Sequence, residues 1–136
     1  MSVDGVETRR IGARVVVVNN DAAVRDAFAF ALRLEGCAPL LYADAAALLA
    51  DMPPRDSGCL ILQEPGGLEL LRGLRAHGVA APAILLAGRL TPALRRRAAE
   101  AGVWQVLEKP ILDRALLQAV AAVLAGAPPP AQTPAT

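Results

Sequence analysis

The sequence predicts an α/β fold: a doubly wound, five-stranded parallel sheet in the order 2-1-3-4-5, with helices on both faces. Three observations carry this. Five short apolar runs alternate with five stretches of helical periodicity. The runs are apolar throughout rather than alternating, as strands buried on both faces must be. The chain is 136 residues long, the size of one domain of about 100–150 residues. Strict β/α alternation implies right-handed crossovers between parallel strands, and five strands then favour this order.

The elements follow one by one. Arg14 to Val18 is β-branched and apolar on both faces, a central strand. Asp21 is placed to cap a helix running to about Glu35, with Val24, Phe28, Ala31 and Leu32 inward and Gly36 as its stop. Pro39 to Tyr42 is a second strand, and its proline predicts an edge. Asp44 caps a short Ala/Leu helix ending near Asp51. Cys59 to Leu62 is the third strand. From Gly67 to His77, leucines at 68, 71 and 74 mark a helix stopped by Gly78. Ala83 to Leu86 is the fourth strand, and Thr91-Pro92 opens a helix that Gly102 closes. Trp104 to Leu107 is the fifth strand, and Ile111 to Ala125 is the last helix. Residues 1–12 are expected as a flexible N-terminus, 13–125 as the domain, and 126–136 as a proline-rich tail or linker.

Composition excludes several functions. Hydrophobic residues make up 54% and charged residues 20%, too apolar for disorder. No apolar run approaches the ~18 residues of a membrane span. Residues 1–12 hold Asp4, Glu7, Arg9 and Arg10 without an apolar stretch, so no signal peptide is expected and the cytoplasm is the expected compartment. A net charge of +1 argues against direct nucleic-acid or membrane-surface binding. Aromatics are 3%, too few to form stacking platforms for single strands. Cys37 and Cys59 have no metal spacing. They are expected on strands flanking the first, roughly 9.5 Å apart, beyond disulfide reach and therefore reduced.

In this fold ligands bind beyond the carboxyl ends of the strands. There stand Asn19-Asn20-Asp21, Gln63-Glu64, Ala87-Gly88 and Lys109-Pro110. Together with VVVVNND (15–21), SGCLIL (57–62), GLELLRGLRAHG (67–78), PAILLAG (82–88) and EAGVWQVLEKP (100–110), these make the chain resemble the receiver domain of two-component response regulators, a flavodoxin-like fold. SGCLIL, GLELLRGLR and LEKP look most like the subgroup whose receiver precedes a LuxR-type helix-turn-helix output domain. The resemblance covers residues 13–125.

The resemblance also implies what is missing. The family's acidic pair after strand 1 falls on Asn19 and Asn20, and its phosphoacceptor aspartate on Gln63. The hydroxyl residue ending strand 4 falls on Ala87, the aromatic switch of strand 5 on Val106, and only Lys109-Pro110 matches. The loop before helix 3 is about four residues short. A carboxamide cannot form an acyl phosphate, and Asn19, Asn20 and Gln63 offer Mg²⁺ neutral carbonyls where it prefers carboxylates. Ala87 has no hydroxyl to follow a phosphoryl group, and Val106 has no ring to rotate. The expected reading is a degenerate, phosphorylation-independent pseudo-receiver with no catalytic residues, no metal and no cofactor.

Other polar residues have plainer readings. Glu64 would reach the pocket only through a bulge, and Asp21 reads as a helix cap. Lys109 is the one lysine among 14 basic residues; it either faces the pocket carbonyls or is kept with Pro110 for a tight, often cis, turn. His77 suits a helix C-terminus, and Arg95, Arg96 and Arg97 spread around a solvated face. The expected partner is a second copy of the chain, docked through the fourth helix, fifth strand and fifth helix. That last helix carries Leu112, Leu116, Leu117, Val120, Val123 and Leu124 in a stripe wider than one core seam. A C-terminal DNA-binding domain would follow the tail in the resembling subgroup, so the chain is either a piece of a longer protein or a stand-alone module. An enzyme is not expected, for want of a nucleophile–base pair or glycine-rich phosphate loop. The alternative reading is a small-molecule sensor using the neutral pocket.

Overall fold

The computed structural model describes residues 12–52 and 56–130, so most of the two expected flanking segments lies outside the described residues. The strands are β1 (Arg14–Val18), β2 (Ala38–Tyr42), β3 (Cys59–Gln63), β4 (Ala83–Ala87) and β5 (Gln105–Glu108). The helices are α1 (Ala22–Leu34), α2 (Ala45–Asp51), α3 (Gly67–Ala76), α4 (Pro92–Glu100) and α5 (Asp113–Leu124). All strand pairs are parallel and the order is β2-β1-β3-β4-β5, as the alternation of elements predicts. Pro39 sits in the edge strand, where a missing N–H does least harm. Several boundaries shift by one or two residues from expectation. Trp104 precedes β5, although its N–H still bonds the Ala83 carbonyl at 2.8 Å, and α5 starts at Asp113 rather than Ile111.

Alternate residues of each central strand face opposite layers. Val16, Val18, Leu60, Leu62 and Leu85 pack with Leu48, Leu71 and Leu94 of α2, α3 and α4. Val15, Val17, Ile61, Ile84 and Leu86 pack with Phe28, Leu32, Leu116 and Val120 of α1 and α5. The helices begin where sequence places them. Asp21 accepts from the N–H groups of Ala23 and Val24, Asp44 from Ala47, and Thr91 from Leu94, so orphan donors are satisfied at each start. Helix α3 follows Gly66, whose φ of +96° a side chain would resist.

The wide stripe on α5 is mostly consumed by the core. Leu116, Ala119, Val120 and Val123 are buried, and only Leu112, at 68%, is strongly exposed. The physical reason is close approach: a Cβ on Gly58 would lie 2.7 Å from Leu124 Cδ2, so α5 settles directly on the backbone entering β3. Large apolar side chains are instead exposed on α1, where Phe30 is 64% and Leu34 70% accessible.

Candidate functional site

At the carboxyl ends of β1, β3 and β5 the chain forms a cleft of about 410 Å³ between α1 and α5. Its polar rim is Asn19, Asn20, Asp21, Gln63, Lys109 and Asp113. Its floor is apolar, from Val24, Ala27, Phe28, Leu86 and Ile111. The volume falls within the range of small-molecule sites. A second cleft of about 140 Å³ lies toward α2 and α3 and shares Asn20 and Gln63 as a wall.

That shared wall is one hydrogen bond. Gln63 Nε2 donates to Asn20 Oδ1 at 3.1 Å, joining the ends of β3 and β1. Asn19 is 4% exposed; its Oδ1 accepts from the Asp21 N–H at 2.9 Å, and its backbone carbonyl accepts from Arg25 Nη1 at 2.7 Å. Asn19 therefore holds the β1–α1 turn, while Asn20 ties the end of β1 to β3. Lys109 is fixed by its backbone, whose N–H bonds the Ala87 carbonyl at 2.8 Å, and the Lys109-Pro110 bond is cis. Lys109 also lines the cleft.

The donor set does not fit the Mg²⁺ that such a site would hold. Asn19, Asn20 and Gln63 offer only neutral carbonyls where Mg²⁺ prefers carboxylates, and Asn20 Oδ1 already accepts from Gln63 Nε2. Asp21 Oδ1 is engaged by the α1 cap. Among the described residues no group of three or more His, Cys, Asp or Glu side chains could hold a metal ion.

Other expected residues fall differently. Ala87 does not line the cleft; it is 1% exposed and belongs to the α2–α4 side of the core. Val106 packs against that same layer. Glu64 turns away from the pocket, because its Oε2 accepts from the Leu68 N–H at 2.9 Å and caps α3. His77 Nδ1 meets the Gly73 carbonyl at 2.9 Å, the expected C-terminal role. Of the arginine triplet, Arg97 lines a separate cleft with Arg72, Arg75 and Glu100 between α3 and α4. Arg75 is committed there, donating to the carbonyls of Val79 and Ala81 at 3.0 and 2.7 Å. Cys37 and Cys59 are buried and form no disulfide among the described residues. Burial first, and the neighbouring Cys37 second, push the Cys59 thiol up to about 12, so neither geometry nor acidity makes it a nucleophile.

Sequence reasoning did not place Ile111 or Asp113 at the cleft. Their signal was available: both follow Lys109-Pro110 at the start of α5, which packs beside α1 on one face of the sheet.

A 2-1-3-4-5 parallel sheet with its crevice walled by the turns after β1, β3 and β5 defines a receiver-type α/β module. The match is specific. The family model of the response regulator receiver domain covers residues 15–121, and the chain belongs to this family. It is 39% identical over 114 residues to the transcriptional regulatory protein FixJ of Azorhizobium caulinodans, covering 81% of this chain and 54% of that protein. It is 32% identical over 117 residues to the C4-dicarboxylate transport transcriptional regulatory protein DctR of Rhodobacter capsulatus, covering 82% and 59%. The chain thus spans little more than half the length of these relatives. A receiver domain structure from Methanospirillum hungatei superposes with a TM-score of 0.75 at 22% identity, covering 83% of this chain and 94% of that one. One from Pseudoalteromonas atlantica gives 0.76 at 22%, covering 83% and 98%. These two establish the shared fold. No helix among the described residues is long and apolar enough to cross a membrane.

Proposed function

We propose that this chain is a receiver domain that has given up phosphoryl transfer and regulates transcription through protein–protein contacts. The observation that carries this reading is the Gln63–Asn20 hydrogen bond. It stands where the family resemblance puts the acceptor aspartate and its metal-binding partner, and it closes the crevice with neutral groups. The module works in the cytoplasm, without enzymatic activity or cofactor. In the whole protein it precedes a DNA-binding output domain, a view supported by the relatives' names and by their greater length. Self-association is part of this reading. The expected face, α4–β5–α5, keeps Leu112, Arg96 and Asp113 exposed but hides most of its apolar stripe.

The test is chemical. Full-length chain incubated with Mg²⁺ and acetyl phosphate gains no phosphoryl adduct by intact mass, while a receiver with a complete acidic site does. A hydroxylamine-labile adduct on any residue of the chain would overturn the proposal.

A second reading rests on the cleft between α1 and α5. Its apolar floor and charged rim are the composition of a small-molecule site, so a ligand could replace the phosphoryl group as the signal.

A further inference from the structure

Helix α1 is apolar on two opposite sides. Inward it buries Phe28, Ala31 and Leu32. Outward it presents Ala23, Ala27, Phe30 and Leu34, all exposed and spaced by four, three and four residues, with Ala27 also bordering the cleft. At 3.6 residues per turn these four lie within roughly 60° of one another. The spacing is that of the a and d positions of a heptad seam. A single exposed leucine is ordinary, but a seam in register with its two largest members 64% and 70% accessible is not. Asp26 and Arg33, both exposed, flank one side of it, seven residues apart. Neither side chain forms an ion pair among the described residues.

We infer that α1 is a self-association helix, on which a second copy of this chain docks antiparallel about a two-fold axis. This rests on the reading that the module works through protein contact, and it moves the contact from α4–β5–α5 to α1. The seam is self-complementary only in that arrangement. Antiparallel pairing sets Ala23 against Leu34 of the second copy and Ala27 against its Phe30, so every layer joins a small residue to a large one. The same alignment brings Asp26 beside Arg33 of the second copy, twice by symmetry. Parallel pairing would instead stack Phe30 on itself, face alanine with alanine, and leave both charges unmatched.

Sedimentation of the full chain tests this. At about 0.5 mM, where an association of Kd about 0.1 mM is mostly dimeric, the weight-average mass approaches twice the monomer. Phe30→Ser with Leu34→Ser returns it to monomer without altering the melting curve, since both side chains are exposed. Asp26→Arg and Arg33→Asp each weaken association alone, and an equimolar mixture of these two variants restores it, at least tenfold tighter than either. Three results overturn the inference. The wild type is monomeric at about 0.5 mM, whether its own residues 1–11 or another protein's helix covers the face; or the dimer ignores the seam changes; or the mixture fails to associate. None of these touches the phosphodonor experiment, so this inference can fail while the loss of phosphoryl transfer stands.

Discussion

Gln63 and Asn20 show how two neutral side chains can close a site built for charge. Their hydrogen bond joins the ends of β3 and β1 at an exposed position without any charge to hold a cation. Changing Gln63 alone to aspartate removes that donor and places one carboxylate beside Asn20 Oδ1. It does not supply the further carboxylates Mg²⁺ needs to displace its hydration shell. Gln63→Asp is therefore expected to remain unphosphorylated at millimolar Mg²⁺, and intact-mass analysis after treatment with acetyl phosphate checks it. Phosphorylation by the single change would mean that Asp21 or Asp113 completes the metal site. These residues were legible in the sequence because strand ends are fixed by where apolar runs stop. Ala87 ends β4 with its side chain in the α2–α4 layer, the layer that strand alternation from Ala83 and Leu85 assigns it.

At the scale of elements, helix starts were the most legible feature and one cap escaped notice. Asp21, Asp44 and Thr91 each stand directly before their helices, the position that sequence rules recognise. Glu64 caps α3 from outside that position, reaching forward over Pro65 and Gly66 to the Leu68 N–H. No capping-box spacing describes such a contact. Glu64→Ala should destabilise the chain by about 1 kcal/mol, the usual cost of a lost cap, and lower Tm by roughly 4 °C. Glu64→Gln, which keeps an acceptor oxygen, should lose much less. Thermal melts followed by circular dichroism at 222 nm, the ordinary helix band, distinguish the two.

For the whole molecule, strand order followed from apolar runs flanked by helical patterns, but the depth to which each helix sinks did not. A core with few aromatics lets α5 approach the sheet until Leu124 lies over Gly58, which turns a stripe expected at an interface into interior. Val120 is 2% exposed and Leu112 is 68% exposed. Val120→Arg should therefore unfold much of the population, since a buried unpaired guanidinium costs several kcal/mol. Leu112→Arg should change stability by no more than about 0.5 kcal/mol. Urea titration of both variants separates core from surface on this helix. The chain leaving α5 is also tied back to the sheet, because Trp104 Nε1 donates to the Ala127 carbonyl at 3.2 Å. Trp104 is the protein's one tryptophan and is 8% exposed. Its emission therefore reads the seating of the segment after α5 without any added dye: a blue band while the indole is sheltered, shifting red and dimming as that segment lifts away.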